Sequence, residues 1–301
     1  MRPNDPLFPT QWESAKVGLP KAWDTTTGSS KVIIAVLDTG VATSNRDLAG
    51  KVLAGRNVVT GGAATDRPAT DHGTKMAGIA AAIVNNGFGM AGVAPGCPIL
   101  PVQVTTTKNG YASWPDVAAG LRWAADHGAK VAIVAYSPFG SAQVEQAAGY
   151  FRSKGGLVFI AAGNDGKELP AKPSDAWIVV TATDKDDRRF VVANYGPAVQ
   201  LAAPGVKLTT TSWYDLMLSN TNSGTSEATA FAAGVAALVF SANPKLTAAE
   251  VETILKNTAD DLGAPGPDPY FGWGRVNAAK AVAAAVAQSP PPAAGAARSK
   301  P

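Results

Sequence analysis

The chain has 301 residues, 26 of them basic and 23 acidic, for a net charge of +3, with 16% charged and 46% hydrophobic residues. That length and apolar content exclude global disorder and allow about three quarters of the unfolded surface to be buried. A surplus of three charges lays down no basic stripe, which argues against nucleic acid as a partner.

In chain order, the first residues, Met1-Arg2-Pro3-Asn4-Asp5-Pro6, lack the apolar core of a signal peptide. The protein is therefore either intracellular or a mature form whose leader has been removed. Short apolar runs then read as strands: Val32–Leu37, Ile99–Val104, Val131–Ala135, Leu157–Ala161, Ile178–Thr181 and Val199–Ala202. They are continuous rather than alternating, as in strands covered on both faces. Helical patterns fall at His72–Val84, Asp116–His127, Ala142–Lys154, Thr225–Ser241, Thr247–Asn257 and Asn277–Val286. The fifth opens on a capping box, Thr247 with Glu250. Strand and helix in alternation predict an α/β domain with a mostly parallel sheet. The richest apolar stretch, Ala228–Ala242, is interrupted at Thr229, Gly234 and Ser241, short of the roughly 18 residues of a membrane span. Residues 288–301, QSPPPAAGAARSKP, read as a disordered tail or linker, leaving 1–287 as one domain.

Chemistry in such sheets gathers at the strands' carboxyl ends. Asp38 closes one run and Asn164 follows another, while His72 and Ser226 open helical patterns on that same edge. An acid, an imidazole, a hydroxyl and an amide are the parts needed for acyl transfer. Only two histidines exist, and His127 before Gly128 suits a helix end, which leaves His72 as the base. Asp38-Thr39-Gly40 alone is also ordinary turn chemistry, and no second Asp-Thr/Ser-Gly is present to form an aspartic-protease pair. Residue 228 is Ala, so Ser226 is in no Gly-x-Ser-x-Gly elbow, and no histidine follows it. Gly87–Gly92 spells a dinucleotide fingerprint but follows a helix and opens none, so a loop around something smaller remains open. The single Cys97 permits no internal disulfide.

The order Asp38, His72, Ser226 is that of subtilisins. Together with Ile34–Val41, His72-Gly-Thr74, Ala161-Ala-Gly-Asn164 and Ser223-Gly-Thr-Ser226, it makes the chain resemble the subtilisin-like serine peptidases, most closely thermitase-like members. The start of the chain, to Asp24, looks like the mature start of such enzymes. The resemblance implies a seven-stranded parallel sheet with helices on both faces and a secreted, monomeric endopeptidase with a removed propeptide. Asp38, His72 and Ser226 would be the triad, and Asn164 the oxyanion donor. The substrate polypeptide would lie between Gly110-Tyr111-Ala112-Ser113 and Ser137-Pro138-Phe139-Gly140, with Ala161-Ala162-Gly163 as the other wall. A structural Ca²⁺ would be held by Asp5, Asp47 and Asn86, with the carbonyls of Ile83, Phe88 and Met90.

The chain departs from the family pattern in three places. Val134–Gly140 replaces the usual Ser-Leu-Gly-Gly, and Pro138 has no N–H for an added strand. Glu227-Ala-Thr-Ala-Phe231 replaces Met-Ala-Thr-Pro-His, so a carboxylate beside Ser226 either raises the His72 pKa or repels acidic substrates. Lys75 replaces a second histidine. Two alternatives to a peptidase follow: a triad hydrolase of esters or polyesters, and a low-turnover, protease-like binding module.

Overall fold

The computed structural model describes residues 1–65, 68–169, 173–213 and 217–288; most of the predicted tail lies outside the described residues. The chain enters through two short helices, α1 (Trp12–Lys16) and α2 (Leu19–Ala22), before β1 (Ile33–Asp38) and β2 (Arg56–Asn57). There follow α3 (His72–Ala81), β3 (Ile99–Gln103), α4 (Trp114–Asp126), β4 (Ala129–Val134), α5 (Ala142–Ser153), β5 (Leu157–Ala161), β6 (Ile178–Thr183) and β7 (Leu201–Pro204). An antiparallel pair, β8 (Leu208–Thr211) and β9 (Met217–Asn222), leads into α6 (Thr225–Ala242), α7 (Ala248–Asn257) and α8 (Ala278–Ala287).

Seven strands form one parallel sheet in the order β2-β3-β1-β4-β5-β6-β7. Within β1, Ile34 and Val36 face one core, shared with α3, α6 and α8, while Ala35 and Leu37 face the other, shared with α4 and α5. Burial on both faces is why the strand sequences read as unbroken apolar runs. The predicted strands and helices are all present with shifted ends, β7 starting at Leu201 instead of Val199. Patterning missed β2, which is two residues long, and the β8–β9 pair, whose first strand, Leu208–Thr211, is mostly threonine and forms no apolar run.

Helix α6 is buried all round from Thr225 to Phe240, as expected of a helix that is hydrophobic on every side. Its 18 residues have a mean hydropathy of 1.3, enough by length and composition to cross a membrane, yet 83% of them are buried in the protein core. The residues taken as interruptions do not break it. The Thr229 and Ser241 hydroxyls donate to carbonyls one turn back, Thr225 and Ala237, at 2.7 Å each. Gly234 lets α6 approach Val93 so closely that a Cβ there would lie 2.6 Å from the Val93 Cβ.

Candidate active site

The strand order reverses at β1, with β3 on one side and β4 on the other, so the switch-point crevice opens beyond Asp38. The Asp38 side chain is fully buried, and its Oδ1 accepts the Thr39 N–H at 2.7 Å. The Thr39 hydroxyl donates to the Thr70 carbonyl at 3.1 Å and accepts the Gly73 N–H at 3.2 Å, joining the loop after β1 to the start of α3. Gly40 has φ +110°, and a Cβ on Gly73 would collide with the Gly40 carbonyl. The glycines of the two motifs thus let their backbones touch.

That contact brings His72, the first residue of α3, onto Asp38, with Nδ1 2.9 and 2.8 Å from the two carboxylate oxygens. A carboxylate only accepts, so Nδ1 carries the proton and Nε2 is left as a base. Burial works against an imidazolium here, but the Asp38 charge and hydrogen bond, with Glu227 adding, outweigh it and raise the His72 pKa to about 9.

Ser226 lies in the first turn of α6, 9% exposed, and its hydroxyl donates to the Ala135 carbonyl at 3.3 Å, not to His72. Catalytic hydrogen bonds often tighten only when substrate is bound. Asn164 follows β5, and its Oδ1 accepts the Thr225 N–H at 3.0 Å. Since an N–H can only donate, the atom facing it is the oxygen, and the Asn164 NH₂ turns away, free to donate elsewhere. The Gly163 N–H donates to the Thr225 hydroxyl at 3.1 Å. Asn194 holds the same loop: its Oδ1 accepts the Asp165 and Lys167 N–H groups at 3.0 Å each, and its Nδ2 donates to the Ala162 carbonyl at 3.1 Å. Thr225 stands inside a legible motif, whereas Asn194 carries no sequence signal.

The expected substrate flanks line the same crevice. Gly110 and Tyr111 border a cavity of about 210 Å³ with Thr39, His72, Ala135 and Tyr136. Tyr111 is 75% exposed, and the Tyr136 hydroxyl donates to the Gly110 carbonyl at 2.9 Å, tying one flank to the other. Ala112 is half-buried and Ser113 caps α4. On the second flank, the Ser137 hydroxyl donates to the Ala161 carbonyl at 2.9 Å, which joins Ser137–Gly140 to the wall formed by Ala161, Ala162 and Gly163. Pro138 is buried, Phe139 packs half-buried against the α4–α5 core, and Gly140 is exposed. His127 stays apart, stacked on Trp123 at 3.9 Å.

The residues expected around a cation also converge. Asp5 and Asp47 are 2% and 0% exposed. Asp5 accepts the Asn85 and Asn86 N–H groups at 2.9 and 3.2 Å, and Asp47 accepts Met90 N–H and Asn86 Nδ2 at 2.9 Å each. The Ile83 N–H donates to the Asp47 carbonyl at 2.8 Å, and the Phe88 N–H donates to Asn86 Oδ1 at 2.9 Å. Among the described residues, no group of three or more His, Cys, Asp and Glu is placed to hold a metal ion. Two buried carboxylates and an amide oxygen suit a hard cation, though Asn86 would have to rotate its amide to offer that oxygen, and both carboxylates already accept N–H groups.

The model of the subtilase family of peptidases matches residues 29–274. Thermitase of Thermoactinomyces vulgaris is 41% identical over 284 residues, 93% of this chain and 99% of that protein. Subtilisin Savinase of Lederbergia lenta is 37% identical over 271 residues, 89% of this chain and 96% of the relative. A solved protease structure from Pseudoalteromonas arctica superposes with a TM-score of 0.82 at 32% identity, covering 95% of this chain and all of that one.

Proposed function

The chain belongs to the subtilase family of serine endopeptidases, and from that membership we propose that Asp38, His72 and Ser226 are its catalytic triad and Asn164 its oxyanion donor. The observation that carries this reading is the His72–Asp38 contact at 2.8 Å on the edge where Ser226 lies in the first turn of α6. His72 Nε2 takes the Ser226 proton as Oγ attacks the scissile carbonyl, and Asp38 stabilises the imidazolium that forms. The Asn164 NH₂ and the Ser226 N–H hold the oxyanion. His72 then gives its proton to the leaving amine, and water releases the acyl group by the same path in reverse. The substrate polypeptide lies extended between Gly110–Ser113 and Ser137–Gly140. Pro138 offers no N–H, so that flank pairs through carbonyls alone at that residue.

A Ca²⁺ held by Asp5, Asp47 and the Asn86 amide oxygen, with the Ile83, Phe88 and Met90 carbonyls, would neutralise two buried carboxylates and tie the N-terminal segment to the domain. Such a tie suits a secreted, monomeric enzyme freed of a propeptide, since extracellular sites work at about 10⁻⁴–10⁻³ M calcium.

The test is Ser226→Ala, with peptide and ester substrates compared on the parent enzyme. The variant is expected to fold normally and to lose about 10⁶ in kcat, a magnitude measured on subtilisin, a member of this same family. Activity within tenfold of the parent would remove Ser226 as the nucleophile, and ester cleavage without peptide cleavage would favour an esterase.

A further inference from the structure

A substrate residue under attack must place its carbonyl between the Ser226 hydroxyl and the Asn164 amide. Two backbone walls converge on these groups. One leaves β4 at Ala135, whose carbonyl accepts the Ser226 hydroxyl at 3.3 Å. The other leaves β5 at Ala161 and runs through Ala162 and Gly163 to Asn164. The side chain next to the attacked carbonyl enters the gap between them.

A side chain of the protein itself spans that gap. The Ser137 hydroxyl donates across it to the Ala161 carbonyl at 2.9 Å, and the Ala161 N–H donates back to the Tyr136 carbonyl at 3.1 Å. Pro138, the next residue, has no N–H to offer the Ala161 carbonyl, so the serine side chain supplies the donor. Gly163 shows how little room remains. A Cβ built there would lie 3.0 Å from Ser137 Oγ and 2.5 Å from Asn194 Nδ2, and Asn194 is itself fixed to the Ala162 carbonyl at 3.1 Å.

The wall that carries Ser137 is also held from its other side. The Tyr136 hydroxyl donates to the Gly110 carbonyl at 2.9 Å, Pro138 is buried, and Phe139 packs against the α4–α5 core. Widening the gap means breaking the Ser137–Ala161 bond. That would strip the carbonyl of a residue 2% exposed of this donor, and an unpaired buried carbonyl is costly.

We propose that Ser137 is a specificity-determining residue: its hydroxyl bars the gap, so the residue before the cut bond is glycine, alanine or serine. Aromatic, long aliphatic and charged side chains are excluded at that position, and polypeptides rich in small residues are the substrate class selected. The proposal rests on the triad and substrate path given above.

The experiment digests a peptide library with the parent enzyme and locates the cuts by mass spectrometry. It then measures kcat/KM on a matched pair of peptides with alanine or phenylalanine before the cut. Cuts after glycine, alanine and serine are expected to dominate. Ser137→Gly removes the bar and is expected to raise the phenylalanine-to-alanine ratio about tenfold or more, since one methylene in a pocket already shifts discrimination roughly 10–200-fold. Ser137→Ala loses only the hydroxyl and should move the ratio the same way by less, while Ser137→Thr should not raise it. A ratio cancels any general loss of activity, so a weakened variant still reports. Frequent parent cuts after leucine, phenylalanine, lysine or arginine overturn the proposal. So does a ratio that stays within about twofold of the parent in both Ser137→Gly and Ser137→Ala. If peptides resist but esters are cleaved, the same ratio is read on alanine and phenylalanine nitrophenyl esters. Ser226-dependent cleavage that is indifferent to residue 137 removes this proposal alone; cleavage of neither substrate removes the triad reading with it.

Discussion

Asn164 shows how much a single hydrogen bond can decide. Its oxygen is taken by the Thr225 N–H, so the amide cannot flip without breaking that bond and setting two donors against each other. The NH₂ is thereby turned away from Thr225, and in the proposed mechanism that fixes it as an oxyanion donor before substrate arrives, the preorganisation that makes such donors effective. Replacing Asn164 by Leu keeps most of the volume and removes the donor. The expected result is a loss of about 10²–10³ in kcat with KM nearly unchanged, the effect known for one such donor in a subtilisin, a relative of this chain. Steady-state kinetics on a peptide check it. A rise in KM alone would make Asn164 a substrate-binding residue instead.

At the scale of an element, α1 carries an unusual group. Glu13 is 2% exposed, its Oε2 has no partner among the described residues, and the Ser14 hydroxyl beside it has none either. Its Oε1 accepts from Gln11, whose amide is bonded to the Ala91 carbonyl and N–H at 2.9 Å each, so the helix is clipped to the loop that follows Met90. Burial raises the Glu13 pKa from 4.5 to about 7, against its own N–H and Gln11, which lower it. The folded state therefore holds this proton more tightly than the unfolded chain does. That contribution is present in full below about pH 4.5 and is lost as pH rises toward 7. Across that span it amounts to about 3 kcal/mol. Glu13→Gln is expected to raise the melting temperature at pH 8 and to flatten the decline in stability between pH 4.5 and 7. Thermal melts of both proteins over that range measure it.

For the whole molecule, distant segments are joined by polar ties rather than by disulfides. Arg275, 5% exposed, pairs with Asp187 and, at 2.5 Å, with Asp260, while Lys16 reaches Asp187 at 2.7 Å. These links bring the N-terminal helices, the loop after β6 and the approach to α8 together. At the opposite side of the N-terminal segment, the Leu7 N–H donates to the Gly89 carbonyl at 2.9 Å, beside Asp5 and Asp47. A cation bound there stabilises the native state by RT ln(1 + [L]/Kd), about 4 kcal/mol at a thousandfold excess over Kd. EDTA is therefore expected to lower the melting temperature and expose the first residues to self-cleavage, with added Ca²⁺ restoring the melt. Asp5→Asn combined with Asp47→Asn should reproduce the EDTA state and respond no further to chelation. An unchanged melt under EDTA, with no metal by elemental analysis, would leave the 83–90 loop as a turn held by its own hydrogen bonds.

The sequence by itself determined the α/β layering and the positions of Asp38, His72, Ser226 and Asn164. Those signals are local: two-sided burial writes unbroken apolar runs, and Gly40 and Gly73 stand beside the residues whose backbones must meet. The capping box at Thr247 was legible for the same reason, since both partners lie within one turn. Only the tertiary structure decided that Asn194 braces the loop carrying Asn164, that Glu13 is sealed in the core, and that the Glu227 carboxyl borders Gly224. The first two depend on segments packed together from 29 to 80 residues apart, as in the Asp165–Asn194 and Gln11–Ala91 hydrogen bonds. A hydrophobic period records which face of an element is covered, but it does not record which polar atom the covering element brings.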